Sequence, residues 1–280
     1  MALRLEPDDK EVLRILQESS PDDKIPLVDY ITDSGEGRIS LSDETLKALT
    51  KAKKRGTKFT RAEDEHLLRE IQEFGGNSFI NLLRFGSGVT YKEVASDVAS
   101  KLGASVSSSD SCEEIEKAIL KKVIEKAWDE MSAEQRKKLG ADLRVPAKGA
   151  IGLASVLAAA EMGGFATYRL AVSVANSVAR QLLGRGLAFG TNAGLVGGLD
   201  LLIGPIGWAI TALWMAADLA GPAYRVTVPC VIHIAFLRQK AAEAIAKKSQ
   251  LKCSKGHVQA DRNAQFCSQC GEKLRPASSR

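Results

Sequence analysis

The side chains best equipped for chemistry lie at the C-terminal end. Cys253-Ser-Lys-Gly-His257 is followed, after nine residues, by Cys267-Ser-Gln-Cys270-Gly271. The spacings are C-x3-H and C-x2-C, and each lets two ligands on one tight turn reach the same tetrahedral ion. Three thiolates and one imidazole suit Zn2+ and fill all four coordination positions, which leaves none for water or substrate. The expected metal ligands are therefore Cys253, His257, Cys267 and Cys270, and the expected cofactor is a structural Zn2+. Gly271 suits the turn after the second pair, because glycine tolerates positive φ. A tail of fewer than about 30 residues with few apolar side chains needs a staple of this kind to fold.

The rest of the chain offers little to a reaction. Of five cysteines, Cys112 and Cys230 stand apart from the tail with no nearby histidine or acid to activate them, and they read as ordinary thiols. His66 sits in a charged helical stretch and reads as solvent-facing, while His233 lies in Val231-Ile-His-Ile-Ala-Phe236 and reads as a core histidine. No Walker loop, H-E-x-x-H or G-x-S-x-G is present, and the glycines never fall between a strand and a helix. No catalytic residue is assigned, and a non-enzyme is expected.

The elements that precede this tail read as helices. The chain has 280 residues, 45% hydrophobic and 26% charged, enough for a sizeable core, with only 5% aromatic. In the first 144 residues, start signals precede apolar residues spaced by three and four. Ser20-Pro21-Asp22-Asp23 offers an N-cap, a proline at N1 and an acid at N3. Thr60, Thr90, Ser111 and Ser132 each stand three residues before Glu63, Glu93, Glu114 and Gln135, the pattern of a capping box. Gly75, Gly103 and Gly140 are the expected stops. Between Lys51 and Arg61 the six cations Lys51, Lys53, Lys54, Arg55, Lys58 and Arg61 read as a solvated linker, or as a phosphate contact. Only Phe59 accompanies them, which argues against nucleic acid.

From Val145 to about Pro229 the composition turns to Gly and Ala. Glycine in a water-exposed helix costs about 1 kcal/mol relative to alanine, and small residues are the preferred helix interface in lipid. Two uncharged runs, Gly186 to Leu199 and Leu201 to Ala217, flank Asp200. A spanning helix needs about 20 apolar residues, so the second run, at 17, is marginal. Two readings stand: a buried helical core, or an apolar hairpin that engages a membrane, with conditional insertion or pore formation.

The expected architecture is an all-α multi-helix domain with a Gly/Ala-rich apolar helical region and a small C-terminal zinc ribbon. Its expected parts are residues 1–50, an N-terminal helical segment; 51–144, an amphipathic helical domain; 145–238, the Gly/Ala-rich region; 239–251, a linker helix; and 252–275, the ribbon. The tail resembles the small ribbons appended to many bacterial proteins, through Gly256-His257 and Ala264-Gln-Phe266-Cys-Ser-Gln-Cys-Gly271; such ribbons are commonly interaction modules.

Three further stretches stand out: Asp9 to Thr32; Phe74-Gly-Gly-Asn-Ser-Phe-Ile-Asn-Leu-Leu-Arg84 with Tyr91 to Leu102; and Ala223-Tyr-Arg-Val-Thr-Val-Pro229 running on to Arg238. Together they resemble the bacterial YaaW family, which is related to the ubiquinol–cytochrome c assembly chaperones. The resemblance implies an all-α fold, no established catalytic residue, and a membrane-protein client handled at the membrane surface. This chain departs from it by adding the ribbon and by a longer Gly/Ala-rich segment. The expected partners are a membrane surface or bilayer, a protein bound through the ribbon, and a second copy of the chain, with nucleic acid disfavoured. Met1 to Asp9 carries no apolar signal-peptide core, so a cytoplasmic address is expected, with peripheral contact at the inner face of the cell membrane. The alternative is a soluble assembly chaperone or scaffold for a membrane-protein client.

Overall fold

The computed structural model describes residues 5–38, 41–76, 89–145, 151–162, 164–187, 203–216, 223–248, 253–255, 257 and 265–274. In chain order its helices are α1 (Pro7–Glu18), α2 (Pro21–Thr32), α3 (Asp43–Arg55), α4 (Arg61–Gly76), α5 (Tyr91–Leu102) and α6 (Cys112–Trp128). They continue with α7 (Ala133–Asp142), α8 (Leu153–Glu161), α9 (Gly164–Leu183), α10 (Ile203–Ala216) and α11 (Tyr224–Lys248). The described residues hold no strand, only an isolated antiparallel bridge between Phe266 and Lys273. The expected all-α class is the fold.

Each start signal named above opens a helix. Ser20, Thr90, Ser111 and Ser132 accept from the N3 amide of α2, α5, α6 and α7, and the N3 side chain reaches back to the cap. Thr60 and Glu63 make the same exchange before α4. Ser42, not singled out in the sequence, caps α3. Gly103 is the expected stop, in the left-handed region at φ 75°.

Two glycines do something else. Gly75 and Gly140 lie inside α4 and α7 and do not end them. A Cβ on Gly75 would drive into a Val94 methyl of α5, and one on Gly140 into Ile151. These are close helix approaches. Gly75→Ala is therefore expected to destabilise by about 1–3 kcal/mol through overpacking, although helix propensity alone favours alanine by about 1 kcal/mol. The midpoint of urea unfolding reads the sign, and an unchanged or higher midpoint refutes the close approach.

Lys51 to Arg55 also differs from the expected linker. These residues are the last turns of α3, whose buried side carries Thr45, Leu49 and Ala52.

The centre of the fold is α11, which packs on α1, α2, α4, α5, α6 and α9. Residues 226–239 of it are buried on every side, as expected of a helix apolar all round. α10 lies on α6 and α9, and α8 packs on the same two helices. With 14 residues, α10 rises about 21 Å, against about 30 Å for a hydrocarbon layer. Among the described residues no helix is long and apolar enough to cross a membrane. Asp200, Asp218, most of the run from Gly186 to Leu199, and residues 77–84 of the second YaaW-like stretch lie outside the described residues.

A polar chain threads this apolar interior. Asp9 of α1 is buried and accepts from Gln72 Nε2 at 3.0 Å and from the Tyr91 amide at 2.9 Å. The Tyr91 hydroxyl donates to Glu116 of α6 at 2.8 Å. Arg238 of α11 donates to both Glu116 oxygens, at 2.7 and 3.1 Å, and pairs with Glu11 at 2.7 Å. Nearby, Lys24 pairs with Asp64 at 2.7 Å, both fully buried.

Candidate metal centre

The candidate metal centre is assembled by two turns beyond α11. Across the first turn, the Cys253 amide donates to the His257 carbonyl at 3.1 Å. In the second, the Gly271 amide donates to the Cys267 carbonyl at 2.8 Å, and Gly271 takes φ 68° as its place after the pair requires. A one-rung hairpin braces that turn: the Cys267 amide donates to Glu272 O at 2.7 Å and the Leu274 amide to Gln265 O at 2.8 Å. Ser254 ties the two turns together through the Glu272 carboxylate at 2.8 Å.

The four sequence-assigned residues come together. The ligand atoms of Cys253, His257, Cys267 and Cys270 all lie within 4.8 Å of one another, an arrangement that could hold a metal ion. The individual edges test this. A tetrahedron with metal–sulfur bonds of about 2.3 Å has sulfur–sulfur edges of about 3.8 Å, and sulfur–nitrogen edges of about 3.5–3.6 Å. Cys270 Sγ lies 3.7 Å from Cys253 Sγ, and Cys267 Sγ lies 3.6 Å from His257 Nδ1. These two edges fit, and the second runs from Nδ1 of the imidazole.

The electrostatics favour thiolates unevenly. Desolvation opposes ionisation of Cys267, but the amides of Gln269 and Cys270 outweigh it and bring the thiol down to about 6. At Cys270 the Glu272 amide lowers the thiol's pKa, yet desolvation and the crowding sulfurs of Cys267 and Cys253 carry it above the ordinary range. A divalent cation relieves that crowding. Buried apolar support is scant: Cys253, Cys267 and Leu274 form a cluster of their own, with Cys270 against it.

The remaining candidates are not brought to this site. His66 is half-buried on α4. His233 is buried as expected, its Nε2 2.6 Å from the Asp23 carbonyl, and burial brings it down to about 4. Among the described residues its Nδ1 has no hydrogen-bond partner. Burial pushes the Cys112 thiol up to about 12 and the Cys230 thiol higher still, so neither is poised as a nucleophile.

Comparison with known proteins bears on the helical body. A family model described as "Ubiquinol-cytochrome C chaperone" matches residues 64–233, from α4 into α11, and ends before the metal centre. A UPF0174 protein of Helicobacter pylori strain J99 is 37% identical over 244 residues, spanning 86% of this chain and 95% of its own length. A second UPF0174 protein of that strain is 37% identical over 206 residues, 71% of this chain and 98% of its own. The UPF0174 protein YaaW of Escherichia coli K12 is 27% identical over 233 residues, 81% of this chain and 93% of its own. No solved structure matches the chain. With its body matched from α4 into α11 and a relative 37% identical across 86% of it, the chain belongs to the ubiquinol-cytochrome C chaperone family, alongside the UPF0174 proteins.

Proposed function

We propose that the protein is a non-enzymatic assembly chaperone that holds a membrane-protein client. The observation that carries this reading is the family match over residues 64–233, which spans most of the helical body. The body also offers a client something to hold. Trp208 on α10 is 51% exposed, while Ile206 and Ala209 beside it are buried. An aromatic anchor of this kind is a frequent centre of protein contacts. The inert thiols of Cys112 and Cys230 support the non-enzymatic part.

In this reading the client is met from the cytoplasm, at the inner face of the cell membrane. Surface contact is favoured over insertion of residues 186–218, because among the described residues no helix, α10 included, is long and apolar enough to span. Residues 1–50, 51–144 and 145–238 are the three parts of the body, and 239–251 leads to a ribbon over 252–275. There Cys253, His257, Cys267 and Cys270 hold a structural Zn2+. Phe266, 57% exposed beside Cys267, makes the ribbon a second partner-binding surface.

The test is a photo-cross-linking residue placed at Trp208 of the full chain in cells, with Lys126, exposed on α6, as control site. A discrete adduct with a membrane protein is expected from Trp208 and not from Lys126. Absence of any adduct, or the same adducts from both sites, overturns the reading.

A further inference from the structure

The cations between Lys47 and Arg61 fall into two groups. Lys53 pairs with Asp29 of α2. Arg55 donates to both Glu63 oxygens, at 2.9 and 2.7 Å. That bond, with the Thr60 contacts, holds the Glu63 carboxyl down to about 2. Arg61 pairs with Glu65 at 2.8 Å. These three cations are consumed in fixing α3 to its neighbours and α4 to itself.

The other four are not. Lys47, Lys51, Lys54 and Lys58 are exposed, and among the described residues none forms an ion pair. At roughly 100° per residue, Lys47, Lys51 and Lys54 fall within about 60° of one another, opposite the buried side of Thr45, Leu49 and Ala52. Lys58 follows two residues past Gly56, which ends α3, and is exposed as well. Within α3 itself the acids are Asp43 and Glu44, at its N-terminal end. Along α3 the row from Lys47 to Lys54 is roughly 10 Å long, from the helical rise.

We propose that this outward face of α3 docks on an anionic lipid bilayer. Three features select that partner. Every free cation is a lysine, a mobile point charge suited to anions in no fixed register, while the arginines, suited to bidentate partners, are engaged internally. No large apolar side chain is exposed between residues 43 and 61, so the contact lies on the surface and does not insert. No aromatic platform for bases is available either: Phe59 is buried, with the Lys24 ammonium 4.6 Å over its ring. The inference stands apart from the client reading, since a lipid-docking face needs no client and a client needs no lipid.

Each lysine near an anionic leaflet is worth roughly fivefold in partitioning, so four are worth several hundredfold. The experiment is flotation of full-length, zinc-loaded protein with phosphatidylcholine vesicles, with and without phosphatidylglycerol, at low and high salt. The probe variant is Lys47→Gln/Lys51→Gln/Lys54→Gln/Lys58→Gln. The control, Lys255→Gln/Lys273→Gln, removes exposed ribbon lysines instead. Expected is binding to the anionic vesicles only, released by salt, weakened several hundredfold in the quadruple variant and retained in the control. Single Lys→Gln variants, each expected to weaken binding about fivefold, serve if the quadruple variant melts early. Unchanged binding by the probe variants, loss only in the control, or flotation with neutral vesicles overturns the proposal. So does tighter binding of duplex DNA through the same lysines, which assigns the face to nucleic acid.

Discussion

Arg238→Met lowers the stability of the helical body by about 3–5 kcal/mol, the usual result of stranding one member of a buried ion pair. Arg238 is only 6% exposed and Glu116 only 1%. Removing the guanidinium leaves the carboxylate in the interior with one partner, the Tyr91 hydroxyl at 2.8 Å. Dispersion contacts of the methionine replace the arginine's aliphatic stem and none of its five donors. For a body of this size the loss is a fall in Tm of roughly 10 °C. Glu116→Leu/Arg238→Met should recover most of it, because a buried pair replaced by apolar groups is often neutral. Equal melting of single and double variants would show that the pair is not a unit.

The same pair sets a pH dependence. Burial raises the Glu116 carboxyl above its ordinary range, against the pull of Arg238 and then Tyr91. Without Arg238 the folded state binds that proton more tightly still. A carboxyl raised on folding contributes stability at low pH, and that contribution is lost as pH rises through the folded value. The deficit of Arg238→Met is therefore expected to widen from about pH 5 to about pH 8. Thermal melts at both ends measure it, and a constant deficit refutes the stranded carboxylate.

Metal removal has the other large effect, and it is local. Chelation, or Cys267→Ser, is expected to unfold residues 253–274 and leave the helical body standing. Structural zinc in small modules contributes about 10–16 kcal/mol at pH 7, and here only Cys253, Cys267 and Leu274 are buried in the ribbon's own cluster. Among the described residues, Leu274 is the one buried apolar side chain besides the ligands left to hold the turns once the ion leaves. Metal analysis should find a single zinc per chain, lost in Cys267→Ser and kept in Cys112→Ser and Cys230→Ser. Amide NMR should show the ribbon signals collapse while those of α11 residues 226–239 persist. Dispersed ribbon signals in the chelated protein would end the structural-zinc reading.

The helices and the clustering of Cys253, His257, Cys267 and Cys270 were legible in the sequence for different reasons. Capping is local chemistry within four residues, so Ser20, Thr90, Ser111 and Ser132 announce their helices unaided. Cysteine spacing is equally local. Two features were hidden because they depend on what another helix brings. Gly75 and Gly140 look like stops until Val94 and Ile151 are seen against them. Glu116 looks like a surface charge until Arg238 arrives from 122 residues away. One signal was present: Leu120 and Ile124, four and eight residues after Glu116, are apolar, which places it on a second buried stripe of α6.

The central place of α11 has a consequence for the life of the nascent chain. Lys240 closes on Asp23 across 217 residues, and His233 on the Asp23 carbonyl across 210. At about 5–20 residues per second, some 10–40 s separate synthesis of the two sides of that contact. Until α11 emerges, the inward faces of α1, α2 and then α4, α5 and α6 lack the helix that covers them. Closures between distant segments are late and slow, and the waiting apolar surface invites aggregation. During its own synthesis, then, this member of a chaperone family passes through the exposed state in which a chain most needs to be held.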